Sequence, residues 1–252
     1  MSKLIVFNWK ENPTTREEAI SLAKRVQEQA IEKGAVDVVV APPSVFLSDV
    51  AEKFLETESP VKLGAQDVSL FEGGSHTGEI SPAMLKDLGV SYCIVGHSER
   101  RAMGETDEVV SKKIHKLLEI GIVPILCVGE PQKISNEDAW ELVRGQLEAA
   151  LSPIKNLKFE IRNFICAYEP VWAIGGDKEV DSAHADAVIE RIYIYLRDYL
   201  SGSFVVLYGG SVGGASIGRF SRSQHIGGFL VGSASLVPSE INSIIEYIYG
   251  KR

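Results

Sequence analysis

The chain has 252 residues, of which 45% are hydrophobic and 24% are charged, and its formal net charge is −8. This acidity argues against a nucleic-acid binder or a protein held at a membrane surface. No apolar run approaches the roughly 18 residues of a membrane span, and the N-terminal run is too short for a signal peptide. The three cysteines lie in apolar runs, which is typical of reduced core cysteines in a cytosolic protein. We therefore expect a soluble cytoplasmic protein.

Short apolar runs alternate with amphipathic patterns along the chain. The first half predicts strands over Leu4–Phe7, Val36–Ala41 and Val61–Ala65, a helix from the Thr15 cap to Gly34, a helix over Val45–Leu55, a long loop over 66–79 and a helix from Ser81-Pro82. The second half predicts strands over Tyr92–Val95, Val123–Val128, Phe164–Ala167, Val205–Tyr208 and Phe229–Val231, with helices marked by Val110, Ala139, Ala187–Leu200 and Ile241.

The predicted strands are continuous apolar runs, which is typical of strands buried on both faces. Eight strand–helix units follow one another, and no Ser/Pro-rich linker or block of charge divides them. This order predicts an α/β fold, a (β/α)8 barrel, formed by a single domain over residues 1–252. A doubly wound open sheet is the competing fold, but no Gly-x-Gly-x-x-Gly follows the first strand to favour it.

Chemically active residues follow several of the predicted strands. Asn8 and Lys10 come after the first strand, His97 and Glu99 after the fourth, and Glu169 after the sixth. In a barrel these positions converge on one rim. Each residue alone has an ordinary explanation, as a solvated lysine, a locally satisfied histidine or a loop carboxylate. Their shared rim favours proton chemistry by Glu169 and His97.

Glycine-rich turns follow the last two strands, at Gly209-Gly210-Ser211 and Gly232-Ser233. In barrels this is the usual place for a phosphate, which is bound by backbone N–H groups. Lys10 would add a cation, and a local cluster is needed because the acidic chain offers no long-range attraction for an anion. The sequence thus predicts a small phosphorylated substrate. No metal is expected, since no His, Asp and Glu set has ligand spacing.

Five motifs together resemble the triosephosphate isomerase family, in that family's order and over the whole chain. They are Asn8-Trp9-Lys10, Val95-Gly96-His97-Ser98-Glu99-Arg100-Arg101, the segment from Ala167 to Gly175, Tyr208-Gly209-Gly210-Ser211-Val212 and Gly228-Phe229-Leu230-Val231-Gly232. The resemblance implies a TIM barrel that interconverts dihydroxyacetone phosphate and glyceraldehyde 3-phosphate without a cofactor, in glycolysis and gluconeogenesis.

The resemblance also implies residue roles. Glu169 would be the base that moves a proton between two carbons, and His97 a neutral imidazole that polarises the carbonyl, which is the established pairing of this family. Lys10 would support the enediolate and phosphate charge, while Asn8 and Glu99 position Lys10 and His97. The residues that would bind phosphate through backbone N–H groups are Gly175, Ser211, Gly232 and Ser233.

The long loop bears on assembly. Thr77-Gly78-Glu79 matches the family segment that inserts beside a partner subunit's active site, which implies a homodimer. His76 stands there where an aromatic residue is usual. Cys127 and Glu130 also match the family, and both are interpreted as structural.

Departures from the family pattern concentrate at the phosphate. Ser233 replaces a second glycine, and a positive φ there would be strained. The lid reads Gly175-Gly176-Asp177 where Gly-Thr-Gly is usual, so Asp177 would add a negative charge near the phosphate. Glu11 replaces a common methionine and is expected to point away from the site.

Two other functions compete with the isomerase. Another phosphate-binding (β/α)8 sugar-phosphate isomerase or epimerase would keep the glycine-rich turns, but it gives no reason for Lys10, His97 and Glu169 to occur together. A non-enzymatic scaffold that binds a partner would predict a degraded base or electrophile, whereas all three residues are intact.

Overall fold

The computed structural model describes residues 3–35, 37–152, 161, 163–174, 182–220 and 223–250. Within these residues, eight parallel strands form a closed barrel in sequence order, and the last strand pairs with the first. The strands are β1 (Leu4–Asn8), β2 (Val38–Ala41), β3 (Lys62–Ala65), β4 (Tyr92–Val95), β5 (Val123–Val128), β6 (Asn163–Tyr168), β7 (Ser203–Tyr208) and β8 (Gly228–Val231). The predicted α/β (β/α)8 barrel, a TIM barrel, is confirmed, and the open sheet is wrong.

Eight α-helices lie in the described part of the chain. They are α1 (Arg16–Lys33), α2 (Leu47–Glu56), α3 (Pro82–Asp87), α4 (Ser98–Ala102), α5 (Asp107–Glu119), α6 (Asn136–Leu151), α7 (Ser182–Tyr199) and α8 (Pro238–Tyr249). The Thr15 side chain caps α1 by accepting the Glu18 N–H, and Gly34 ends it with a left-handed φ of 65°. Local capping chemistry therefore sets the bounds that the sequence predicts for α1.

Two predicted helices differ from the structure. The helix expected over Val45–Leu55 is split into a 3-10 turn over Ser44–Phe46 and α2, because the Phe46 N–H bonds to the Pro43 carbonyl in a tight turn. The helix expected from Ala187 begins at Ser182. His184 lies one turn before Val188 on its buried face, and a polar residue at that position conceals the start of the apolar stripe.

The other strands and helices begin and end closer to their predicted positions. β2 begins at Val38 and Val36 lies outside the described residues, although the Asp37 carbonyl already accepts the Ile5 N–H.

Every helix in the described ranges is too short or too polar to cross a membrane.

Side chains alternate between two apolar layers along each strand. On β1, Ile5 and Phe7 pack outward against the helices, while Leu4 and Val6 point into the barrel. The barrel interior is filled by Leu4, Val6, Val39, Ala41, Ile94, Ile125, Cys127, Ile165, Ala167, Leu207 and Leu230. Because this interior is packed, a ligand site has to lie on the rim at the strand ends.

Candidate active site

The predicted base and imidazole meet at the carboxyl ends of β4 and β6. His97 follows β4 and forms the N-cap of α4, while Glu169 follows β6. The His97 Nε2 lies 3.2 Å from the Glu169 Oε1, and the two residues are only 5% and 3% exposed. At this rim a carboxylate and an imidazole are therefore in contact and shielded from solvent.

The surroundings of His97 determine its proton positions. Its Nδ1 accepts the backbone N–H of Glu99 at 3.2 Å, so the proton of the neutral ring lies on Nε2, facing Glu169. Burial lowers the pKa of His97, but the carboxylates of Glu169 and Glu99 outweigh burial and leave that pKa raised in the substrate-free site. A substrate seated between His97 and Glu169 would remove that contact, and the neutral ring would then be favoured.

Lys10 is held by contacts on both its side chain and its backbone. Its Nζ lies 2.5 Å from the Glu99 Oε1. Its φ of 53° is uncommon for a residue with a side chain. The Asn8 Oδ1 accepts the Lys10 N–H at 3.0 Å, and the Gln66 Nε2 donates to the Lys10 carbonyl at 2.9 Å. These bonds stabilise the strained backbone that carries the ammonium group.

The structure brings seven of the predicted site residues into one cavity of about 130 Å³. Those that line it are Asn8, Lys10, His97, Glu169, Ser211, Gly232 and Ser233. Glu99 is not part of the lining and joins the site through Lys10. Among the described lining residues, Lys10 is the only lysine or arginine. Gly175, Gly176 and Asp177 lie outside the described residues.

Sequence reasoning missed several residues of this site. Gln66 directly follows β3, so the same strand-end rule that found Asn8 and His97 could have found it. Ile174 and Leu230 line the cavity with apolar surface, and they carry no chemical signal in the sequence. In the described ranges, His, Cys, Asp and Glu side chains form no group of three that could hold a metal ion.

The turn after β8 is suited to an anion. Gly232 is the N-cap of a 3-10 turn over Ser233–Leu236, and the first N–H groups of a helical turn have no partner within the turn. In the described part of the chain, positive φ angles outside glycine occur only at Lys10 and Glu58. Ser233 therefore avoids the strain that its replacement of glycine could have produced.

Two glycines bring the neighbouring strands close to the base. A Cβ added at Gly129, after β5, would lie 1.9 Å from the Glu169 carbonyl oxygen. A Cβ at Gly209, after β7, would lie 2.9 Å from the Glu169 Cγ. Beneath them, burial and the Glu169 carboxylate raise the pKa of the Cys127 thiol, so the thiol stays neutral. Glycine is therefore required at both positions, because any side chain there would collide with Glu169.

Comparisons with known proteins agree with this geometry. The profile of the family described as Triosephosphate isomerase matches residues 3–248. Proteins named Triosephosphate isomerase from Natranaerobius thermophilus and Thermoanaerobacter pseudethanolicus are each 40% identical over 250 residues, covering 96% and 97% of this chain and 94% and 98% of theirs. One from Saccharopolyspora erythraea is 41% identical over 249 residues, covering 96% of this chain and 94% of its own. The other barrel functions considered above are not favoured, and the chain belongs to the triosephosphate isomerase family.

Proposed function

We propose that the protein interconverts dihydroxyacetone phosphate and D-glyceraldehyde 3-phosphate by proton transfer through an enediolate, without a cofactor. The observation that carries the proposal is the buried contact between the Glu169 carboxylate and the His97 Nε2, in a cavity that also contains the Lys10 ammonium group. Family membership supports the same reaction.

Each group has a role that follows from its chemistry. Glu169 removes a proton from the carbon beside the carbonyl and returns it to the neighbouring carbon. The His97 Nε2–H gives its proton to the carbonyl oxygen on which negative charge develops, and Nε2 then takes up the proton of the neighbouring hydroxyl, so the ring ends neutral. Lys10 stabilises the negative charge of the enediolate. Glu99 and Asn8 are positioning residues, since they contact Lys10.

The phosphate is assigned to the turns after β7 and β8. Ser211, Gly232 and Ser233 line the cavity on the side of these turns, and their backbone N–H groups are the proposed ligands, together with Gly175. Pockets for drug-sized ligands measure about 300–1,000 Å³. A cavity of about 130 Å³ is therefore suited to a three-carbon substrate.

A coupled assay with glyceraldehyde 3-phosphate tests the reaction, and no turnover by the purified protein would overturn it. Glu169→Gln keeps the shape of the base but removes its basicity. We expect kcat to fall by about 10²- to 10⁴-fold. Glu141→Gln, on the exposed surface of α6, is the matched control and should keep the parent rate. A Glu169→Gln variant as active as the parent would overturn the assignment of Glu169 as the base.

We also propose that the protein is a homodimer, assembled through Thr77-Gly78-Glu79. A groove of about 470 Å³ opens between the 43–47 segment and the long loop, and Lys10, His97 and Glu99 lie along it. Met103, which is 80% exposed, lines the same groove. A partner's loop seated there would cover apolar surface and touch the groups assigned to catalysis.

Residues 1–252 are proposed to form one domain, because the pairing of β1 with β8 joins the two ends of the barrel. The composition supports a cytoplasmic location.

A further inference from the structure

The segment that carries the proposed phosphate ligand Ser211 lies directly on the first turn of α8. We call residues 211–214, which follow β7, the phosphate turn. A Cβ added at Gly214 would lie 2.5 Å from the Ser243 Cβ, and a Cβ added at Gly213 would lie 2.8 Å from the Glu240 Oε2. The two glycines therefore allow the main chain of the phosphate turn to approach α8 closely.

A hydrogen bond joins the phosphate turn to α8. The Gly214 N–H donates to the Glu240 Oε2 at 2.7 Å. The bonds at Gly213 are local by comparison: its N–H donates to the Ser216 Oγ at 3.0 Å, and its carbonyl accepts the Ser216 and Ile217 N–H groups. A hydrogen bond to an ionised carboxylate is roughly twice as strong as one between neutral groups. Glu240 thus holds the phosphate turn against a separate element of the fold.

The element that carries Glu240 is itself firmly placed. Glu240 belongs to the first turn of α8, where the partial positive charge of the helix N-terminus stabilises a carboxylate. The next turn of the helix is packed into the core through Ile241, Ile244 and Ile245, which are fully buried. The bond to Gly214 therefore connects the phosphate turn to a rigid support.

The phosphate turn has one side towards the substrate cavity and another towards Glu240. Ser211 lines the substrate cavity, and it also lines a second opening of about 360 Å³ that Gly213 and Glu240 share. Ser233, the proposed ligand after β8, lines both spaces as well. Glu240 is not part of the lining of the substrate cavity. Its contact with the site is the main chain of the phosphate turn.

We propose that Glu240 is a positioning residue for the substrate phosphate: by accepting the Gly214 N–H, its carboxylate holds the phosphate turn where the Ser211 N–H binds the phosphate. The proposal rests on the proposed isomerase function, which assigns the phosphate to this turn. Without the bond, the turn occupies other positions as well. The apparent affinity for phosphate then falls in proportion to the fraction of molecules whose turn is correctly placed.

Binding of inorganic phosphate to the purified protein, measured by isothermal titration calorimetry, tests the proposal without turnover. We expect Glu240→Ala to lower the affinity about tenfold, the lower end of what a hydrogen bond to a charged group contributes. Glu240→Gln keeps an acceptor oxygen and should restore most of this loss. Parent affinity in Glu240→Ala would overturn the proposal, and so would a Glu240→Gln variant that binds no more tightly than Glu240→Ala.

Gly213→Ala disturbs the same bond from the other side. Gly213 does not have a left-handed φ, and among the described residues beyond its chain neighbours an added Cβ would meet only the Glu240 carboxyl group within 4 Å. The methyl group should displace that carboxylate and lower phosphate affinity about as much as Glu240→Ala does. The double variant should bind no more weakly than Glu240→Ala, because the bond is already lost. Multiplicative effects of the two substitutions would overturn the proposal.

Glu246→Ala is the matched control, since it also removes one carboxylate from α8. Glu246 pairs with Lys33 on the surface, so phosphate affinity should stay at the parent value. A loss equal to that in Glu240→Ala would overturn the proposal, because it would show an effect of charge alone. If Glu240→Ala does not fold, Gly213→Ala and Glu240→Gln still provide the comparison.

The same titration separates this proposal from the isomerase function. A parent protein that binds phosphate but shows no turnover would exclude the isomerase, while the variants would still decide the role of Glu240. A parent protein that turns over glyceraldehyde 3-phosphate but binds phosphate no more tightly than Glu240→Ala would overturn the role of Glu240 alone.

Discussion

Glu99 acts on His97 in two opposite ways. Its backbone N–H donates to the His97 Nδ1, which favours the neutral ring, whereas its carboxylate helps to raise the pKa of His97. The Glu99 side chain is 55% exposed, so solvent screens the effect of its charge. A substitution at this carboxylate therefore separates the charge from the hydrogen bond.

We expect Glu99→Gln to shift the acid limb of kcat/KM to lower pH. In the free enzyme a protonated His97 forms an ion pair with Glu169 that the substrate must break, so kcat/KM falls as pH decreases through the raised pKa of His97. Removing one cause of the rise lowers that pKa. The pH profile of kcat/KM measures the shift, and an unchanged midpoint would show that the Glu99 charge does not reach the ring.

Lys10→Met tests the single cation of the described cavity lining. A hydrogen bond to a charged group contributes about 1.5–3 kcal/mol. We therefore expect KM for glyceraldehyde 3-phosphate to rise about 10- to 150-fold, with a further loss in kcat. Lys112→Met, exposed on α5, serves as the control. A KM equal to that of the parent would place the phosphate away from Lys10.

At the scale of elements, the ends of β5, β6 and β7 approach one another closely because glycines follow β5 and β7. The Gly209 N–H donates to the Tyr168 carbonyl at 2.8 Å, and the Glu169 N–H donates to the Val128 carbonyl at 2.8 Å. Glu169 is thereby bonded to its neighbours through the main chain. Its position depends on how closely the adjacent strand ends approach.

Gly129→Ala should displace the base. The added Cβ would lie 1.9 Å from the Glu169 carbonyl oxygen, so the backbone has to move, and a shift of about 1 Å can cost roughly 100-fold in rate. We expect kcat to fall by about that factor and the melting temperature to drop.

Gly145→Ala provides the matched control. Gly145 lies inside α6, where an added Cβ meets nothing within 4 Å, and this change should stabilise the fold by about 0.5–1 kcal/mol. Thermal unfolding of both variants measures the difference. Equal melting temperatures would contradict the close approach at Gly129.

At the scale of the whole molecule, the proposed dimer interface and the proposed active site share one groove. His97, Glu99 and Lys10 contribute to this groove as well as to the catalytic contacts. The Phe71 and His76 rings stack at 3.5 Å in the long loop, so the replacement of an aromatic residue by His76 retains a ring contact. Assembly and activity are therefore expected to be coupled.

Met103→Arg tests this coupling. A charge placed on an exposed apolar side chain of the groove should weaken dimer formation, and kcat should fall as protein concentration decreases. Sedimentation equilibrium and the coupled assay, run on the same dilution series, measure both effects. Ile31→Arg, on an exposed residue of α1 outside this groove, is the control. A parent protein that sediments as a monomer would exclude the homodimer.

The strand–helix order could be predicted from the sequence because its causes are local. Apolar runs, the Thr15 cap and the glycine that ends α1 act over a few residues. Barrel closure then places every strand end on one rim, and so Asn8, His97 and Glu169 could be assigned to the site from their sequence positions alone. The start of α7 could not be predicted in the same way, because His184 is a polar residue on the buried face of the helix.

By itself, the sequence determined the barrel, the family and the residues that face the rim. The tertiary structure alone decided which of those residues touch: His97 with Glu169, Gln66 with the Lys10 carbonyl, and His184 with Glu130 across 54 residues. The physical reason is the distance along the chain over which each kind of interaction acts. Helix and strand signals act over one or two turns of chain, whereas a contact between buried charges depends on how distant strand ends are brought together by closure of the barrel.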